Sequence, residues 1–118
     1  MKLLLISNST NDGEPYLGYP LPEIDRFLGP VREVLFIPYA AVTFSYAEYE
    51  RRVQARFDEA GIRVRSIHRE ARPLRAVRSA QAICVGGGNT FALAKQMQEQ
   101  GLMEAIRRKI RQGTPYVG

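Results

Sequence analysis

Ala82-Ile83-Cys84-Val85-Gly86-Gly87-Gly88-Asn89-Thr90-Phe91 joins an apolar run to three glycines and a helix-starting Asn-Thr pair. The order reads as buried strand, turn and helix. Glycines at the carboxyl end of a strand permit positive φ and let another group approach the backbone without meeting a Cβ. The helix start behind them adds N–H groups that lack intrahelical acceptors, at the positive end of the helix dipole. Three readings stay open on these residues: a plain strand-to-helix turn, a phosphate site, and an oxyanion hole for acyl transfer. The run matches neither G-x-G-x-x-G nor G-x-x-x-x-G-K-[ST] and follows the fourth apolar segment rather than the first, which weighs against a nucleotide.

Outward from the glycines, strand and helix patterns alternate. Lys2–Ile6 is a short continuous apolar run, expected as a strand covered on both faces. Ser7–Gly18 is a long polar loop, of the kind that often carries function. Pro20–Leu28 reads as a short helix closed by Gly29-Pro30, and Val31–Ile37 as a second strand. Tyr46, Tyr49, Val53 and Phe57 recur at helical spacing, with charged residues between them and Gly61 as the C-cap. Ile62–Ile67 alternates apolar with polar, which predicts an edge strand with one wet face. A short helix over Pro73–Ser79 and a buried strand over Ala80–Val85 follow. Beyond the glycines, Thr90–Gln100 is expected to face inward through Phe91, Leu93, Ala94 and Met97, and Leu102, Met103, Ile106 and Ile110 mark another amphipathic helix. Thr114–Gly118 begins a fifth strand.

This alternation predicts an α/β fold: a doubly wound, mainly parallel sheet flanked by helices in three layers, with right-handed crossovers. The expected strand order is 3-2-1-4-5, so the winding reverses between the first and fourth strands. The crevice would then lie between Ser7-Asn8-Ser9 and Gly86-Gly87-Gly88-Asn89.

The 118 residues suit one domain, with 45% hydrophobic and 25% charged residues marking an ordinary globular composition. The net charge of +5 is spread over several segments, and the basic Arg107–Arg111 face reads as a solvated helix exterior, so no nucleic-acid partner is expected. The Leu3–Ile6 run is too short for a signal sequence or a membrane span, and no membrane partner is expected. Cys84, the single cysteine, falls in a strand and reads as a small core residue suited to a reducing cytoplasm. His68, the single histidine, reads as a hydrogen-bonding residue rather than a base. One His and one Cys without clustered carboxylates make no metal site, and no cofactor is called for. Ser7, Ser9 and Thr10 are candidate ligand contacts at the crevice. A non-enzymatic small-anion-binding module and a scaffold subunit stand as alternatives to an enzyme.

Several separated stretches, in order, resemble the peptidase E family of cytoplasmic α-aspartyl dipeptidases, serine peptidases with a class I glutamine amidotransferase-like fold. They are Leu3-Leu4-Leu5-Ile6-Ser7-Asn8-Ser9-Thr10, Phe36-Ile37-Pro38-Tyr39-Ala40, Tyr49, Ile67-His68-Arg69, Val85-Gly86-Gly87-Gly88-Asn89-Thr90-Phe91 and Gly113-Thr114-Pro115-Tyr116-Val117-Gly118. The resemblance implies hydrolysis of dipeptides with an N-terminal aspartate through an acyl-enzyme and a Ser-His-Glu or similar triad. The Gly88 N–H would hold the oxyanion, and Gly87, Asn89, Thr90 and Ser9 would contact the small peptide substrate. The family's serine falls just beyond Gly118, and its histidine and acid later still, and His68 does not match the catalytic position. Residues 1–118 are therefore expected to be the N-terminal part of one hydrolytic domain, ending before the nucleophile elbow and inactive alone, with the C-terminal half as a separate or cleaved partner chain.

Overall fold

The computed structural model describes residues 1–6 and 21–118. Its strands are β1 (Leu3–Leu4), β2 (Glu33–Ile37), β3 (Arg63–Ser66), β4 (Ile83–Val85) and β5 (Tyr116–Val117). Its helices are α1 (Leu21–Leu28), α2 (Tyr46–Asp58), α3 (Pro73–Ser79), α4 (Thr90–Glu99) and α5 (Met103–Arg111), with a 3₁₀ turn at Ile67–Arg69. Every strand pair is parallel.

Side chains alternate across the sheet with the period of two that an extended chain imposes. Val34, Phe36, Ala82, Cys84 and Val117 meet α1 and α2 through Ile24, Leu28, Tyr49, Val53 and Phe57. Leu35, Ile37 and Ile83 point the other way, toward Ala76, Val77, Met97 and Ile106 of α3, α4 and α5. The three layers are those expected from the alternation of apolar runs with amphipathic helices. Ser45 starts α2 by accepting the Glu48 N–H on its hydroxyl at 3.0 Å, which satisfies one donor at the helix start.

The strand order is β1-β5-β4-β2-β3, which corrects the expected 3-2-1-4-5. β3 is an edge, as its alternation predicts, but among the described residues β1 is the opposite edge and pairs only with β5. Leu3 and Leu5 are 43% and 73% exposed, so the Lys2–Ile6 run is not covered on both faces. β5 lies inside the sheet, between β1 and β4, and the Pro115 carbonyl accepts the Ile83 N–H at 2.9 Å. The winding therefore reverses between β2 and β4, whose outgoing connections run to opposite sides of the sheet. The loop facing the glycines across this switch is the one after β2, and β5 separates β1 from β4.

The start of the β3 edge is covered by a side chain. Gln54, on α2, donates its amide to the Ile62 carbonyl at 3.1 Å and accepts the Val64 N–H at 2.8 Å. These backbone groups face away from β2, which bonds instead to the Arg63 N–H through the Arg32 carbonyl at 2.7 Å. One carboxamide thus occupies two of the pairing sites that the edge would offer to another strand. Gln54→Ala should lower stability by about 1–2 kcal/mol, the net worth of two hydrogen bonds, read as a lower urea midpoint at unchanged slope.

Candidate functional site

The site is built where β2 and β4 end side by side. The ladder runs one residue past β4, with the Gly86 N–H donating to the Ile37 carbonyl at 3.0 Å. The Asn89 N–H then donates to the Ala40 carbonyl at 2.9 Å, tying the glycine segment to the loop after β2. Gly88 sits at φ +144°, and a Cβ there would lie 2.5 Å from the Ala40 oxygen, so only glycine fits without displacing backbone. Gly86 is buried, and a Cβ on it would lie 2.5 Å from the Tyr49 hydroxyl. That hydroxyl donates to the Gly87 carbonyl at 3.0 Å.

Beyond these anchors the segment faces solvent. Gly87, Gly88, Asn89 and Thr90 are all exposed. Among the described residues the N–H groups of Gly87 and Gly88 have no acceptor. Asn89 caps α4, its side-chain oxygen accepting the Ala92 N–H at 3.0 Å, so that oxygen serves the helix and the carboxamide NH₂ is what it offers to a ligand. The sequence-predicted Gly87, Gly88, Asn89 and Thr90 thus line one exposed rim at a helix start, where the Gly87 and Gly88 N–H groups and the Asn89 carboxamide NH₂ have no acceptor among the described residues, a setting suited to an anion or to an oxygen that gains charge. Ser9, with Ser7 and Thr10, lies outside the described residues.

Phe91 is 85% exposed and Ala94 is also exposed, which corrects the expectation that both face inward; Met97 is buried and Leu93 partly so. Leu93 and Met97, four residues apart on one face, carry the packing of α4 against the sheet. Cys84 is buried against the α1–α2 side, and desolvation pushes its thiol up to about 12, leaving it neutral. His68, in the 3₁₀ turn, shares a hydrogen bond through Nδ1 with the buried Ser66 hydroxyl and sets its ring edge-on to Tyr46 at 5.8 Å. Among the described residues there is no group of three His, Cys, Asp or Glu side chains placed to hold a metal ion, and no helix long and apolar enough to cross a membrane.

Tyr49 and Ala40 are among the residues that carry the family resemblance, but the sequence reading gives neither a part in the site. Periodicity identifies Tyr49 only as an apolar position of α2, and nothing local connects it to glycines far along the chain. Ala40 contributes a main-chain oxygen, which no residue type advertises.

The two exposed glycines should respond differently to substitution. Gly88→Ala meets both positive φ and the Ala40 oxygen and should cost about 2–3 kcal/mol, whereas Gly87→Ala meets open space and should stay within about 0.5 kcal/mol, as thermal or urea unfolding would show. The same experiment run against pH tests His68. Burial lowers its folded pKa, opposed by Glu50 and reinforced by Arg69. The unfolded chain therefore binds the proton more readily, so stability rises with pH from the depressed folded value up to about 6.5 and is flat above it for this group. His68→Gln should remove that slope.

The family model for Peptidase family S51 matches residues 3–118. Peptidase E of Nostoc sp. (strain PCC 7120) is 45% identical over 118 residues, covering 99% of this chain and 49% of that protein. Peptidase E of Salmonella typhi is 42% identical, covering 100% of this chain and 52% of that protein. The chain thus spans about half the length of the curated relatives it matches. A solved structure of a peptidase E candidate from Listeria monocytogenes EGD-e superposes with a TM-score of 0.73 over 98% of this chain and 56% of that one, at 24% identity, and so shares the fold. With the family model running from the first strand to the last, the chain belongs to Peptidase family S51.

Proposed function

We propose that this chain supplies the oxyanion hole and part of the substrate crevice of a serine-type dipeptidase that hydrolyses dipeptides with an N-terminal aspartate. The observation that carries the reading is the Gly88 N–H, exposed at the start of α4 and without an acceptor among the described residues. A serine, activated by a histidine and an acid, would come from the part of the protein outside residues 1–118. Attack of its oxygen on the scissile carbonyl moves charge onto the carbonyl oxygen, and the serine proton passes through the histidine to the leaving amine. The Gly88 N–H would donate to that oxygen as it becomes negative, a donor held in place before the charge develops. Collapse breaks the peptide bond, releases the C-terminal amino acid and leaves an aspartyl ester on the serine, which water then hydrolyses. Gly87, the Asn89 amide, Thr90 and Ser9 would hold the peptide along the rim. A neutral buried Cys84 suits a cytoplasmic protein.

The full-length polypeptide is expected to hydrolyse Asp-p-nitroanilide and to lose that activity on treatment with a serine-directed inhibitor, while residues 1–118 alone turn over none. Gly88→Ala keeps the N–H but displaces it through the strained φ and the Ala40 contact, and should lower kcat by up to the about 100- to 1000-fold that losing one oxyanion donor costs. Stabilisation by small anions without any turnover would replace the enzyme with a binding module.

A further inference from the structure

We infer that Tyr49 is a positioning residue, whose hydroxyl fixes the plane of the Gly87–Gly88 peptide from inside the protein and so turns the Gly88 N–H outward. The argument is one of peptide geometry. In a trans peptide the carbonyl of one residue and the N–H of the next point to opposite sides, and the described residues contain no cis peptide bond. Tyr49 is only 4% exposed, and its hydroxyl donates to the Gly87 carbonyl at 3.0 Å. A carbonyl held on the interior side leaves the Gly88 N–H on the solvent side. The following peptide is held as well, by the Asn89 N–H on the Ala40 carbonyl at 2.9 Å.

This peptide needs such a hold. It joins two glycines, and no Cβ on either side resists its rotation. Turned over, it would present a carbonyl lone pair at the rim where a donor is wanted. The Tyr49 ring is itself fixed edge-on against Phe36, centroids 4.9 Å apart, and against Phe44 at 5.2 Å. Gly86 admits the ring, since any side chain there would meet it. The three glycines thus have separate tasks: Gly86 makes room for Tyr49, Gly87 offers the carbonyl, and Gly88 makes room for the Ala40 oxygen.

The orientation stands on the geometry alone, and its effect on rate rests on the dipeptidase reading. Tyr49→Phe in the full-length polypeptide keeps the ring and removes the hydroxyl. In NMR spectra the Gly87 carbonyl carbon and the Gly88 amide should move from their wild-type positions, with the remaining spectrum retained. Gly86→Ala, which displaces the ring, should move the same two signals. With Asp-p-nitroanilide, Tyr49→Phe should lower kcat about 5- to 10-fold, the factor one net hydrogen bond represents, and leave KM within about twofold. Wild-type shifts for Gly87 and Gly88 in Tyr49→Phe, or a loss confined to KM, would overturn the inference. A wild-type protein that hydrolyses nothing overturns the dipeptidase reading instead, and the two NMR signals still decide the role of Tyr49.

Discussion

The Ala40 carbonyl and the backbone at Gly88 approach each other across space that any Cβ would fill, and the arrangement of the crevice depends on that approach. It draws the loop after β2 onto the start of α4, so the carboxyl ends of two neighbouring strands become one surface. The sheet can place those ends together because β2 and β4 are adjacent and parallel, with Ile37 in register with Val85. Helices on both faces then bury the sheet. Beyond β4, Gly87 and Gly88 leave main chain exposed, and glycine keeps it accessible.

Much of this was legible in the amino-acid sequence because local patterns carried it. Tyr46, Tyr49, Val53 and Phe57 declared a helix, the alternation through Ile62–Ile67 an edge strand, and Val85-Gly86-Gly87-Gly88-Asn89-Thr90 a strand-to-helix turn. Neighbour relations between strands were not local. Leu3-Leu4-Leu5-Ile6 is equally apolar whether it lies in the middle of a sheet or at its margin, so its place beside β5 could not be read from composition. The nest still fell at the reversal of winding, because the reversal lay at β4 under either order; only its partner loop changed.

The site was partly legible for the same reason. Glycine at Gly86 and Gly88 marks close approach, but not what approaches. The two answers, a phenol ring from α2 and a carbonyl after β2, are both distant in sequence. Phe91 shows the converse: its spacing suited an inward face, yet only Leu93 and Met97 pack on the core, and apolar spacing alone cannot tell which of several apolar positions in a short helix meets the sheet.

The pairing of β1 with β5 has a bearing on how the chain is made. Leu3 and Leu4 find their partners in Tyr116 and Val117, strands from opposite ends of the described fold. During synthesis β1, the first of these five strands to emerge, must wait for the last of them before it meets its partner among the described residues, whereas β2 and β3 can join around α2 much earlier. The sheet would grow from its β2 side toward β1. The apolar Leu3–Leu4 segment would thus stay open to chaperones until Tyr116 and Val117 emerge.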